Sequence, residues 1–245
     1  MEKIISYPLS ILYAVLFFIW LVIFHPIQWI CYNIFGYNAH RWSVAFMNLF
    51  LLRTAHILGT TYTLLGKKNI PKNAPPIIFV ANHQSLHDIT TMLWFLRAFH
   101  PKFISKKELG KGIPSVSYNL RKGGSALIDR KDPKQALGEI KKCAELINRN
   151  NYSVVIFPEG TRSKTGQPKS FAVNGLKMLY KFAPDAYFVP ITINNSWKMT
   201  KFGQFPLGLG NNIHFQIHKP LKISDYSFEE IFEKTEKTIV EAIKI

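Results

Sequence analysis

The segment from Leu9 to Phe24, "LSILYAVLFFIWLVIF", constrains this chain more than any other. Ser10 is its only strongly polar residue, and at sixteen residues it has the length of a signal-peptide core. The flanks argue against cleavage. Lys3 is the only positive charge ahead of the run, and "HPIQWICY" follows where an A-x-A site would stand. With "IISYP" added in front, the run reaches spanning length despite Pro8. Pro26 is expected to end or kink the helix. A second apolar stretch, "RWSVAFMNLFLLRTAHILG", runs from Arg41 to Gly59. Trp20, Trp29, Tyr32 and Trp42 are amphipathic aromatics of the kind that settles at headgroup level. Two arrangements fit: one spanning helix, or a helix pair buried in a single leaflet. The first 40 residues carry too few charges for a soluble helix pair. Residues 1–58 therefore read as a membrane-anchoring helical segment.

The composition changes after Gly59. "TTYTLLG" reads as a strand, "KKNIPKNAPP" as a basic, proline-broken loop, and "PIIFVAN" as a buried strand bounded by turn signals. A helical pattern follows from about Leu86 to Phe99. "KFISK" and "GGSALIDR" supply further strands. Asp132-Pro133 is a helix start, with Asp as N-cap and Pro at the first helical position. "YSVVIFPEG" is the clearest buried strand. Phe171 to Phe182 reads as a helix, "AYFVPITI" and "NIHFQIHKP" as strands, and "SFEEIFEKTEKTIVEAIKI" as an amphipathic helix. Alternating strands and helices predict an α/β fold over residues 59–245: a central, mostly parallel mixed sheet flanked by helices, preceded by the N-terminal hydrophobic anchor helices.

The 245 residues carry a formal charge of +16. That balance implies an anionic partner: nucleic acid, an anionic membrane or a phosphorylated substrate. The aromatic and basic interleaving of an RNA-reading sheet is missing, which argues against nucleic acid. Lys102, Lys106, Lys107, Lys111, Arg121 and Lys122 share a segment whose only acid is Glu108. They read as a solvated basic surface or as a rim meeting anionic headgroups. Cys31 and Cys143 form no C-x-x-C and are expected to be free thiols in a reducing compartment.

Three polar clusters follow strand-like runs: "NHQSLHD" after "PIIFVA", "DR" after "SALI", and "EGTRS" after "VVIFP". In an open α/β sheet, ligands meet such loops at the carboxyl ends of strands. His83 and Asp88 cannot pair from one regular helix, because five residues place them about 140° apart. They can pair if His83 lies in the turn and Asp88 in the first helical turn. The imidazole would then be held in one tautomer as a general base. The alternative is a capped helix start with two solvated polar residues. His83 and His87 have metal-binding i, i+4 spacing, yet no H-E-x-x-H or third ligand is apparent, so no metal is expected and His87 reads as a helix-surface residue. Arg162 can hold a phosphate bidentately, or pair internally with Glu159. Arg130, beside Asp129, has the same two readings. Gly160 permits close backbone approach.

"NHQSLHD", "GGSALIDR", "FPEGTRS" and "VPITI" occur in the order of the four motifs of the glycerolipid acyltransferases. Over about residues 60–220 the chain resembles that family, and most of all the bacterial 1-acyl-sn-glycerol-3-phosphate acyltransferases. It departs from the pattern at Ala126, where a larger aliphatic is usual, and at "FAVNG", where the family often has F-K-x-G. The resemblance implies a membrane-bound enzyme on the cytoplasmic face of the inner membrane. His83 would deprotonate an acceptor hydroxyl, with Asp88 orienting it. Arg130, Glu159, Gly160, Thr161 and Arg162 would shape a phosphate pocket. The donor would be acyl-carrier protein or acyl-CoA and the acceptor lysophosphatidate, with no metal or redox cofactor. Related acceptors (a lysophospholipid, a lyso-aminolipid or glycerol 3-phosphate) are the alternative within the family. A non-enzymatic membrane-surface or nucleic-acid-binding protein is the alternative outside it.

Overall fold

A computed structural model of the protein describes residues 1–73 and 75–245. Eight strands form one mixed sheet. They are β1 (Thr61–Leu65), β2 (Ile77–Ala81), β3 (Pro101–Lys106), β4 (Ala126–Ile128), β5 (Ser153–Ile156), β6 (Tyr187–Asn194), β7 (Asn212–Ile217) and β8 (Leu221–Lys222). The order is β1-β7-β6-β2-β5-β3-β4, with β8 paired to β6. From β6 to β4 all neighbours are parallel, while β7 and β8 run antiparallel to β6. The α/β class and the largely parallel sheet agree with the alternation of strand and helix patterns in the sequence.

The unbroken apolar runs of the central strands follow from burial on both faces. In β2, Ile78 and Val80 enter one core with Ile140, Leu176 and Ile231. Those three come from α4 (Pro133–Asn150), α5 (Val173–Phe182) and α6 (Phe228–Glu241). Ile77, Phe79 and Ala81 enter the opposite core, with Tyr13, Leu58 and Met92. Both helix starts read from sequence have their caps. Asp132 accepts from Gln135 N at 3.0 Å ahead of α4, and Ser227 and Glu230 form a reciprocal capping box at α6. One helix carried no clear periodic signal, α3 (Val116–Lys122), whose seven residues are too few to show a period.

The N-terminal helix α1 (Glu2–Thr54) departs from expectation at its bend. Pro8 and Pro26 both lie within helical structure, and the break falls at Gly36, with φ 79° and ψ −172°. Glycine alone adopts that conformation without a Cβ penalty. The chain reverses there into a hairpin of residues 2–35 and 37–54. Trp20 stacks on Phe50 at 4.4 Å and donates to Thr54 Oγ1, and Gln28 meets Met47. Trp20 is thus half-buried inside the hairpin and does not face outward as an anchor, whereas Trp29 and Trp42 are 54% and 40% exposed. The first helix stays against the domain along its length. Glu2 pairs with Lys201, Ser10 accepts from Leu207 N, Ser115 Oγ donates to Leu21 O, and Asn33 donates to Tyr118. Its other face carries exposed apolar side chains such as Ile11, Val15, Phe18, Val22 and Ile23.

Candidate active site

The loop after β2 enters α2 (His87–Phe95) at the carboxyl end of the parallel strands. Asn82 fixes its start: its side chain accepts from Ile193 N at 2.7 Å and donates to Ile193 O at 2.8 Å, tying β2 to β6. His83 follows in the turn, and Asp88 is the second residue of α2. His83 Nδ1 lies 2.8 Å from Asp88 Oδ2, so the pairing the spacing allows is the one formed.

Asp88 is 0% exposed, and its carboxylate is fully engaged. Oδ2 accepts from His83 Nδ1 and from the backbone amides of Gln84 and Ser85, at 2.7 and 2.9 Å. Oδ1 accepts from Ser196 Oγ at 2.5 Å and Ser85 Oγ at 3.5 Å. A buried carboxylate needs such donors, and its place in the first turn of α2 adds the favourable end of the helix dipole. With Nδ1 donating to Asp88, Nε2 is the nitrogen able to take a proton. The imidazole also stacks on Phe157, with ring centroids 4.1 Å apart, which removes its rotational freedom.

Glu159 joins the two loops. Its Oε1 accepts from His83 N at 2.7 Å and its Oε2 from Lys169 N at 2.9 Å. Burial raises its carboxyl above the usual range, and those two amides pull it back. Ser163 N donates to His83 O at 2.7 Å, closing the same seam. Glu159 is therefore spent on backbone amides and not on Arg162. Gly160, at φ 68°, turns the chain so that Thr161 and Arg162 stand exposed beside the His83 loop. Lys169 Nζ donates to Thr161 Oγ1 at 2.6 Å, bringing a second cation to this turn. Arg130 is exposed beyond the end of β4, which is parallel to β3 and opens on the same rim.

Two expectations are corrected. His87 is not on the surface: it is buried against Tyr13, with ring centroids 5.7 Å apart, and burial lowers its pKa to about 4. Its place in the pattern is explained by packing against the hairpin. Lys102 is not part of a solvated rim either, being 3% exposed at the start of β3. Among the described residues, no group of three or more His, Cys, Asp or Glu side chains gathers as a metal-binding set.

Sequence reasoning missed Asn82, Gln84, Ser85, Phe157 and Ser196 as parts of this centre. Gln84 Oε1 accepts from Ser196 N at 3.0 Å, and its Nε2 donates to Gly166 O at 3.3 Å, so three loops are pinned by one amide. Ser196 lies 108 positions from Asp88, and only the β2–β6 pairing brings the two together. The short "VPITI" segment was the one available signal, since β6 delivers Ser196 just beyond its end.

The family model described as Acyltransferase matches residues 62–194, which hold both His83 and Ser163. A chloroplast 1-acyl-sn-glycerol-3-phosphate acyltransferase of Arabidopsis thaliana is 35% identical over 64% of this chain and 42% of its own length. A 1-acyl-sn-glycerol-3-phosphate acyltransferase of Helicobacter pylori is 45% identical over 37% of each chain. These matches take in less than half the length of either relative. The crystal structure of the 1-acyl-sn-glycerophosphate acyltransferase of Thermotoga maritima superposes with a TM-score of 0.79 at 25% identity, covering 98% of this chain and 95% of that one. The matched residues extend over more than half of the sequence and take in the loops that carry His83, Asp88, Arg130 and Glu159, with Ser196 just beyond their end, and on that ground the chain belongs to the acyltransferase family.

Proposed function

We propose that the chain transfers a fatty acyl group from an acyl thioester, acyl-CoA or acyl-carrier protein, to the free hydroxyl of lysophosphatidate, giving phosphatidate. The His83–Asp88 pair carries this reading. His83 Nε2 takes the proton of the acceptor hydroxyl, and Asp88 holds the ring and stabilises the imidazolium that results. The alkoxide oxygen attacks the thioester carbonyl. The tetrahedral intermediate collapses, the carbon–sulfur bond breaks, and the thiolate leaves with the proton from His83. Arg162, Arg130 and Lys169 are the cations near the rim that can meet the acceptor phosphate. Glu159 acts as a brace that sets the distance between His83 and the Gly160–Thr161–Arg162 turn. The named activities of the relatives support this chemistry and this acceptor.

Residues 1–58 serve as the anchor, lying in one leaflet at the cytoplasmic face. By length and composition the N-terminal helix is able to cross a bilayer. Its first arm is about 50 Å long at 1.5 Å per residue, more than a hydrocarbon core of about 30 Å requires. Contacts with the domain from Glu2 to Asn33 favour an in-plane arrangement, since a spanning helix would leave the domain behind. Tyr13 against His87 then sets this arm beside the first residue after the His83 loop.

A second reading, in which the acceptor is another lysophospholipid, a lyso-aminolipid or glycerol 3-phosphate, draws on "FAVNG", which lacks the lysine common after the third motif. Acceptor profiling of purified protein separates the two. Lysophosphatidate is expected to give the highest kcat/KM; a higher value for any of the other three acceptors would replace it.

A further inference from the structure

A second polar centre lies at the far end of α2 from His83. From Asp88 to Arg97 the chain advances about 14 Å at 1.5 Å per residue. There Tyr37, His40 and Arg41 of the hairpin meet Arg97, His100 and Lys102 around a small, half-open cleft. His100 and Lys102 stand at the amino end of β3, whereas His83 follows the carboxyl end of β2. The two strands run the same way, so the cleft and the rim are at opposite ends of the sheet.

The cleft gathers positive charge without an anion. Lys102 Nζ donates to Tyr37 Oη at 2.5 Å and stands over the rings of Tyr37 and Tyr152, at 4.5 and 4.8 Å. Arg41 donates to Arg97 O at 3.1 Å and lies over Trp42, while Arg97 donates to Trp94 O at 2.8 Å and lies over Trp94 at 3.8 Å. Arg41 also donates from Nε to Asn38 Oδ1 at 3.4 Å, so two of its nitrogens and one of Arg97 are engaged, and donors remain free on both guanidinium groups. Among the described residues, no carboxylate pairs with Arg41, Arg97 or Lys102. His40 is 0% exposed, and both of its ring nitrogens lack a partner. Burial lowers the Lys102 ammonium to about 8, and burial with Arg41 and Lys102 lowers His100 to about 4. Lys102 is a buried cation without an anion, flanked by the half-buried Arg41 and Arg97 and by a buried imidazole without a partner, an arrangement that is costly unless a ligand completes it.

We infer that this cleft is a phosphate-binding site, separate from the rim at His83, in which Arg41 and Arg97 hold the headgroup phosphate of a membrane phospholipid in front of Lys102. Both arginines have free donors for tetrahedral oxyanion oxygens, and stacking on Trp42 and Trp94 holds them flat. Apolar walls from Val44, Ala45 and Leu93 favour a lipid over a free anion. So do the exposed rings of Trp42, the residue after Arg41, and of Phe46, about one helical turn further on and 6.3 Å from Trp94. The choice of a lipid rests on the hairpin lying in a bilayer; the phosphate site does not.

Full-length protein with 15N-labelled histidines, in uncharged detergent, provides the test. Inorganic phosphate, dihexanoylphosphatidylglycerol and uncharged dihexanoylglycerol are the titrants. The His40 and His100 signals are identified from His40→Gln and His100→Gln. Both phosphate-bearing titrants are expected to shift the two signals, the phospholipid at about ten-fold lower concentration because its chains meet the apolar wall. Arg41→Gln combined with Arg97→Gln is expected to weaken both about ten-fold or more. Arg41→Lys with Arg97→Lys, which keeps the charge, should weaken them less. Acyl transfer to detergent-dispersed acceptor, followed in the same samples, should be unchanged, which separates this site from the one at His83. Silent His40 and His100 signals with every titrant would overturn the site, and unchanged binding in the double Gln variant would overturn the role of the arginines. A response to inorganic phosphate alone would overturn the lipid, and an equal response to dihexanoylglycerol would overturn the phosphate.

Discussion

The N-terminal hairpin and the rim around His83 follow opposite rules of burial. At the rim, apolar strands are buried and the polar loops at their ends are held by a dense set of hydrogen bonds, five of them on Asp88 alone. In the hairpin the buried side includes Ser6, Ser10, Gln28, His40, Ser43 and Asn48, while isoleucines, phenylalanines and tryptophans face outward. An exposed apolar surface on that scale marks an interaction face. The contrast is the one that the proposed anchoring requires, one chain working between two solvents. On that proposal, polar groups set geometry where chemistry needs it, and apolar groups set position by meeting the bilayer.

The largest effect should come from the rim. His83→Ala is expected to lower turnover about 10²–10⁴-fold, the usual worth of a positioned general base, with circular dichroism and membrane association unchanged. Near wild-type turnover in the folded variant would remove His83 from the chemistry. Asp88→Asn should reduce turnover about 10²-fold or more and cost about 1–3 kcal/mol of stability, since an amide turns a donor toward groups that are all donors. Ser196→Ala withdraws only one of those donors and should cost about ten-fold in kcat while leaving the acyl donor KM in place.

A change confined to the hairpin should separate the regions. Serine at Ile11, Val15, Phe18 and Val22 removes outward apolar area worth about 1.5–3 kcal/mol per side chain when buried. Activity on acceptor embedded in vesicles should fall about ten-fold or more, while activity on detergent-dispersed acceptor is retained. Equal losses in both assays would mean that the hairpin supports the rim and does not place it.

The smallest effect is expected where the regions touch. Burial lowers the His87 pKa to about 4, from an ordinary 6.5. Between those values the folded chain binds fewer protons than the unfolded chain, so the His87 contribution to stability is lost as pH falls through that window, by about 3 kcal/mol at most. Thermal unfolding of wild type and His87→Gln at pH 7 and pH 4.5 should show a shallower acid loss in the variant. Parallel losses would mean that other groups carry the acid sensitivity.

The strands and most helices were legible because each has a local cause. "PIIFVAN" reads as a doubly buried strand and becomes β2, and Asp132-Pro133 starts α4. The hairpin bend was not, because proline is the stronger sequence signal for a break and yet Pro8 and Pro26 both lie within helical structure. Gly36 acts through a positive φ, which composition does not display. At the rim, the spacing of His83 and Asp88 was informative because it permits only one way to pair. The roles of Ser196 and Gln84 and the arginine cleft were not legible, since each depends on contacts between segments far apart in sequence; "VPITI" and "NHQSLHD" mark the place of the two residues and not their partners.

The most direct measurement follows both products at once in one reaction. Purified full-length protein is added to vesicles containing lysophosphatidate, with acyl-CoA outside, and free thiol and phosphatidate are quantified together. The account predicts one thiol released for each phosphatidate formed, and neither product with His83→Ala. Thiol release without phosphatidate, or phosphatidate formed equally well by His83→Ala, would contradict it.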